Sequence, residues 1–287
     1  TIVVPHYFLG NVTAPDHPSG DGQGDEDYVR QLISGSRFKS HDEIFAIANR
    51  LGVAPSFIKL DSVLSTEQES VARIDEMIKR YSLGHEDSRA VLLFDIADFS
   101  LFRPFEQASQ LNSLSYSMNS AYSKLKQEGV EVSFARTTTG DGYYVWNRDL
   151  GKFPNVDLLT FFLLVLIDNA VARDKARSGI VPTLRSAFHI GSHYELSQAE
   201  GINPTIFSYI VGDVTIKLAR LIDYVPPNGI YIGDFGATLP HSDELVGPAD
   251  FLRYARDELL DMSGLRMGES LLTDIRFESW SVGQADA

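Results

Sequence analysis

The 287-residue sequence predicts an α+β fold in which helices pack on a mostly antiparallel sheet. Three observations carry this. Val91-Leu92-Leu93-Phe94-Asp95-Ile96-Ala97-Asp98-Phe99-Ser100 is an apolar run ending in acids, the pattern of a buried strand that delivers carboxylates to its C-terminal end. Thr137-Thr138-Thr139-Gly140-Asp141-Gly142 lies between two alternating segments, and Asp-Gly so flanked signals a β-hairpin. Between the strands, apolar residues recur at helical spacing.

Taken in order, residues 11–27 hold Pro15, Pro18, Gly20, Gly22 and Gly24 among acids and serines, a loop composition. Asp21, Asp25 and Asp27 there fail the spacing of an EF-hand. A helix is expected over 41–51, with Ile44, Phe45, Ile47 and Ala48 on one side and Gly52 as its stop. Overlapping capping boxes at Ser65-Thr66-Glu67-Gln68-Glu69 begin a second helix running to about Tyr81, with Gly84 closing it. A polar break at His85-Glu86-Asp87-Ser88 divides a partly helical N-terminal segment, 1–85, from the main domain, 86–287. The first part is too short and loop-rich to bury a core by itself.

Beyond the central strand, Leu111, Leu114, Met118, Ala121, Tyr122 and Leu125 predict an amphipathic helix closed near Gly129. Strands follow over 130–135 and 143–146, then a helix over 156–177. A strand pair is expected over 183–191 and 194–196, a strand over 207–211, a helix over 213–224 and a strand over 230–232. A helix near 251–260 and a terminal strand near 274–282 complete the chain.

Composition narrows the function. Lys plus Arg number 25 against 39 acids, a net charge of −14 that argues against nonspecific binding to nucleic acid or an anionic membrane. With no cysteine, thiolate zinc sites and cysteine nucleophiles are excluded. The most apolar window, 158–167, is about half the length a bilayer span needs and reads as a buried helix. The N-terminus has no signal-peptide pattern, so a cytoplasmic location is expected. Walker A, Gly-x-Gly-x-x-Gly, His-Glu-x-x-His and Gly-x-Ser-x-Gly motifs are all missing. His189, in a strand, is expected to be a packed, hydrogen-bonded residue and not a ligand.

Two carboxylates remain as the chemical centre. A strand beside a hairpin brings Asp95 at the strand end to Asp141 at the turn, and hard Mg²⁺ or Mn²⁺ suits one or two acids plus substrate phosphates. Main-chain N–H groups of residues 96–100 are expected to face bound phosphates. Phosphoryl or nucleotidyl transfer is the reaction such a site implies.

Here the sequence resembles the class III nucleotidyl cyclases. Phe94-Asp95-Ile96-Ala97-Asp98-Phe99-Ser100 is similar to their first metal motif, Thr138-Thr139-Gly140-Asp141 to their second. Leu184-Arg185-Ser186-Ala187-Phe188-His189-Ile190-Gly191 resembles the following strand. Val211-Gly212-Asp213, Leu218-Ala219-Arg220-Leu221 and Pro227-Asn228-Gly229-Ile230 resemble the helix with the transition-state arginine and the turn after it. The resemblance spans roughly residues 91–233 and leaves 1–85 uncovered.

It implies a ferredoxin-like cyclase fold and a homodimer with sites at the interface. One chain supplies Asp95, the Ile96 carbonyl and Asp141 to two Mg²⁺ or Mn²⁺ ions, and Ala97, Asp98, Phe99 and Ser100 to the triphosphate. The other supplies Arg220. The ribose 3′-hydroxyl attacks the α-phosphorus, pyrophosphate leaves and a 3′,5′-cyclic nucleotide forms.

The departures concern the base and ribose. The family's purine enzymes place Lys where Thr137 stands, Asp or Thr at Tyr209, and Asn at Ile216, with Lys217 or Thr215 as substitutes for the last if the helix register shifts. Asp98 replaces a usual Gly and is either an outer-shell group or turned away. Tyr209 is either a narrowing, stacking wall for a smaller base or an ordinary alternating strand residue. The first option is similar to the bacterial anti-phage Pycsar cyclases, which make cyclic UMP or cyclic CMP read by a separate cyclic-nucleotide-binding effector. UTP is the preferred substrate and CTP the alternative. A purine cyclase with an atypical pocket, or a module that has lost catalysis, are the competing readings.

Overall fold

The computed structural model describes residues 2, 8, 22–35, 39–57, 67, 70, 81–177, 179–199, 206–262, 264–267 and 269–277. Its packing divides into two units, Thr1–Glu86 with Tyr194–Ile210, and Asp87–His193 with Val211–Ala287.

In the first unit, α1 (Gly22–Ser34) begins inside the stretch expected to be a loop. Glycines and acids fill its opening turns, and Tyr28, Val29, Leu32 and Ile33 follow at helical spacing, so loop composition concealed a helix start. Helix α2 (His41–Arg50) matches expectation. Ser40 caps it reciprocally with Glu43, and Gly52 leaves it with a left-handed φ of 64°. Ile47 and Ala48 are buried. The helix expected over 65–81 lies almost wholly outside the described residues, and Tyr81 and Gly84 belong to a strand.

That strand, β1 (Tyr81–Ile96), is 16 residues long and runs through the expected polar break. The polar residues there are not a boundary in secondary structure because His85 and Arg89 are themselves buried, the former with its Nδ1 3.0 Å from the Ser34 hydroxyl. Likewise β4 (Leu184–Ala199) is one strand where a pair was expected: Gly191, Ser192 and His193 are carried within it without a turn.

The remaining elements of the main sheet are β2 (Phe134–Thr138), β3 (Gly142–Asn147), β5 (Ile206–Val211) and β6 (Ile230–Ile232). Its order is β2-β3-β1-β4-β5, with β6 added parallel to β4. The β2–β3 and β3–β1 pairs are antiparallel. The helices are α3 (Pro104–Gln127), α4 (Lys152–Lys175), α5 (Asp213–Ile222) and α6 (Pro248–Leu260), near the expected places. Short ladders join β7 (Ala237–Thr238) to β8 (Leu245–Val246) and β9 (Arg266–Met267) to β10 (Ser270–Leu271). Residues 274–277 form no strand, and the rest of that expected element is outside the described residues.

Side chains alternate across a strand, and this sorts the second unit's sheet into two faces. Leu92, Phe94 and Ile96 of β1 and Leu184, Phe188 and Ile190 of β4 join the core formed with α3, α4 and α6. Phe94, Phe162 and Phe188 follow one another through it, with ring centroids 5.5 and 6.4 Å apart. On the opposite face α5 covers the sheet: the Tyr144 hydroxyl donates to the Thr215 carbonyl at 3.3 Å, and Val214 and Leu218 are fully buried. Asp95, Arg185 and His189 have the parity of this second face.

Helix α4 alone among the described helices is long and apolar enough to cross a membrane, and 56% of its apolar window is buried in the core. It is 24 residues long, close to the helix expected over 156–177, and the apolar window 158–167 lies wholly inside it.

Candidate active site

The hairpin from β2 to β3 delivers Asp141 to the end of β1. Asp95 lies opposite Gly142 in the ladder, and the Ile96 N–H donates to the Asp141 carbonyl at 3.0 Å. The approach is possible only because residue 142 is glycine: a Cβ there would stand 1.8 Å from the Phe94 carbonyl oxygen. Thr139 donates its hydroxyl to the Asp141 carboxylate at 3.1 Å, and Gly140 turns the chain with φ of 103°.

Asp95 is 7% exposed, and Arg185 on the neighbouring β4 grips the same carboxylate oxygen with Nε at 2.7 Å and Nη2 at 2.6 Å. Burial raises the Asp95 pKa above the usual carboxylate value; Arg185 pulls it down, and the charges of Asp141 and Asp223 push it up. Sequence reasoning quoted Arg185 without a role and missed Asp223. In the structure Arg185 has the face of Asp95, and Asp223 ends the helix laid over that face; the unbroken apolar run before Asp95 gives no alternation from which that face could be read in advance.

The turn after β1 differs in part from expectation. The N–H of Ile96 is committed to Asp141 and that of Ala97 to the Thr183 carbonyl at 2.9 Å, so the sheet uses them. Asp98, exposed, has φ of 58°, a left-handed conformation natural to the usual Gly and tolerated by Asp. Phe99 packs against the core and Ser100 is exposed, both in the 3₁₀ turn Phe99–Leu101.

Thr137, half-buried on β2, pairs with Tyr144, which pairs with Leu93; parity puts it on the Asp95 face. Ile216 is half exposed on α5, and Arg220 is exposed in that helix's last turn with no ion pair among the described residues. Tyr209, 44% exposed on β5, belongs to the first unit. The Thr215 hydroxyl is engaged locally: it accepts from the Gly212 N–H at 3.2 Å and donates to the Gly212 carbonyl at 2.8 Å. Lys217 is exposed.

His189 is packed as expected, 2% exposed, and neither ring nitrogen has a hydrogen-bond partner among the described residues. Burial first, and Lys217 second, lower its pKa to about 4 against the opposing effect of Asp234. Its ring fills space left by Gly233, where a Cβ would fall 2.3 Å from Nδ1.

Among the described residues no group of three or more His, Cys, Asp and Glu gathers as a ready cation cage. The Asp95–Asp141 pair instead fits a hard cation that completes its shell with water and substrate phosphates. The donors are oxygens, and the unfavourable mutual charge recorded in the Asp95 pKa is what a cation relieves.

No family model matches the chain, and no curated protein matches it. Among solved structures it is similar to the catalytic core of a rhodopsin-guanylyl cyclase with converted specificity, at 15% identity over 56% of this chain and 92% of that one, with a TM-score of 0.40. It is also similar to the adenylyl cyclase CyaB from P. aeruginosa, at 13% over 58% and 93%, with a TM-score of 0.40. The guanylate cyclase domain of RhGC from Catenaria anguillulae in complex with GTP gives 14% over 57% and 94%, with a TM-score of 0.39. These likenesses are shallow in identity and in superposition, and they carry no functional weight.

Proposed function

We propose that residues 86–287 form a nucleotidyl cyclase that converts a pyrimidine nucleoside triphosphate, UTP before CTP, to its 3′,5′-cyclic nucleotide and pyrophosphate. The observation that carries this reading is the meeting of Asp95 and Asp141, held together by the β1–β3 ladder and the close approach at Gly142. Asp95 and Asp141, with the Ile96 carbonyl, would hold Mg²⁺ or Mn²⁺; when bound, the cations supply Lewis-acid activation of the 3′-hydroxyl and neutralise the leaving pyrophosphate.

The chain's own residues do the rest. Arg185 holds Asp95 in the free protein, and were that carboxylate to hold a cation its guanidinium would remain at the edge of the same site for the triphosphate. Asp98, Phe99 and Ser100 offer main-chain N–H groups at the turn. Arg220, exposed and with no ion pair among the described residues, is available to a second copy of the chain, where it would stabilise charge on the pentacoordinate phosphorus. The choice of a smaller base is inferred from sequence identity alone, from Thr137 where the purine enzymes have Lys and, separately, from Tyr209 where they have Asp or Thr. In this reading the product is an anti-phage signal taken up by a separate cyclic-nucleotide-binding effector.

The test is to incubate the protein with equimolar ATP, GTP, CTP and UTP and Mn²⁺ and to resolve the products by mass spectrometry. Cyclic UMP or cyclic CMP is expected to dominate. Dominant cyclic AMP or cyclic GMP would overturn the pyrimidine assignment while keeping the cyclase.

A further inference from the structure

We propose that a cavity of about 330 Å³ at the free edge of the sheet is a binding site for a small organic anion, a carboxylate or phosphate carried on an apolar body. The cavity lies in the second unit where α3 and α4 meet the β2–β3 pair. Its volume is at the lower end of small-molecule sites.

Two features define the ligand. The inner wall is apolar and aromatic: Met118 and Phe161 are buried, the Phe134 ring lies tilted with its centroid 4.4 Å from that of Phe161, and Tyr122 stands edge-on to Phe134 at 6.4 Å. Arg136 and Arg148 also line the cavity, and no Asp or Glu does. In a chain with 39 acids and 25 bases, two guanidiniums around one hollow without an acid are a strong local reversal of charge.

Neither arginine has a carboxylate partner among the described residues. Arg148 donates one Nη to the Phe134 carbonyl at 2.8 Å, and Arg136 lies over the Tyr143 ring at 5.5 Å. Each therefore keeps N–H donors for an anion, in the planar fork that suits carboxylate and phosphate. Strand β2 is an end strand of the sheet, so its outer backbone edge also borders the hollow. The inference rests on a binding site apart from Asp95 and Asp141, and it stands whether or not the chain is a cyclase.

Calorimetry on the full chain with benzoate, phenyl phosphate, benzyl alcohol and inorganic phosphate tests it. At least one of the two aromatic anions is expected to bind at least tenfold more tightly than benzyl alcohol and inorganic phosphate, and the preferred one identifies carboxylate or phosphate as the head group. Arg136→Gln and Arg148→Gln, with unchanged circular dichroism, should each weaken that anion by tenfold or more. Asn119→Trp, an exposed position at the cavity wall, should abolish binding by filling the hollow. The proposal is overturned if neither anion binds saturably, if the neutral isostere binds equally, or if binding survives Asn119→Trp.

Discussion

At the residue scale the chemistry turns on how Asp95 is charged. Its pKa is raised by burial and by two neighbouring carboxylates, with Arg185 as the opposing influence. Metal ligands must be deprotonated, so Mn²⁺ affinity should fall on acidification at a higher pH than an ordinary aspartate would give. Arg185→Met removes both a competitor for the carboxylate and a group that keeps it ionised. At pH 8 it should tighten Mn²⁺ about tenfold, roughly 1.4 kcal/mol of relieved competition, while moving the midpoint of the pH dependence upward. Paramagnetic titration of Mn²⁺ checks both; weaker binding at pH 8 would mean that Arg185 supports the cation site and does not compete for it. Arg185 also illustrates what the sequence withheld. Val91, Leu92 and Leu93 are buried on both faces, so the apolar run carries no alternation from which to tell which face bears Asp95 and Arg185.

At the scale of elements, the hairpin is the device that makes a pair of two distant acids. Gly142→Ala would drive a methyl group into the Phe94 carbonyl, so the β1–β3 ladder must open. We expect a loss of about 3 kcal/mol or more in stability, the upper end for single substitutions, with loss of Mn²⁺ binding. Gly140→Ala, with open space around its Cβ but a left-handed φ, should cost less, about 1 kcal/mol, and thermal denaturation separates the two. Hairpin, helices α2 to α6 and the central strand were legible because Asp-Gly turns, caps and apolar spacing are local signals. The extension of β1 back to Tyr81 and the continuity of β4 were not, because polar residues such as His85 and Arg89 are buried and contacts distant in sequence override their local preference. The start of α1 was hidden in glycine and aspartate for the same reason in reverse: its apolar residues come only in later turns.

At the scale of the whole molecule, two desolvated groups set opposing acid responses. His189 titrates at 6.5 unfolded but about 4 in the fold, so its stabilising contribution is complete above pH 6.5 and is lost as pH falls toward 4, by about 3 kcal/mol. Asp157, half-buried and facing the charges of Glu258 and Asp149, holds its proton to about pH 6 against 3.8 unfolded, so stability falls as pH rises through that window by a similar amount, about 3 kcal/mol. Asp157→Asn should therefore stabilise the protein at pH 7 and leave a steeper loss below pH 6.5, measurable by urea denaturation across pH. The proposed site also needs two chains: Asp141→Ala and Arg220→Ala should each be inactive alone, and their mixture should recover up to about a quarter to a half of the wild-type rate as mixed dimers form, a complementation that independent monomers cannot give. The most direct single measurement is cyclic nucleotide formation from UTP with Mn²⁺ by the wild-type protein and by Asp141→Ala with its fold verified. The account predicts 3′,5′-cyclic UMP with equimolar pyrophosphate from the first and at least a hundredfold less from the second; equal product from both, or none from either with any nucleoside triphosphate, would contradict it.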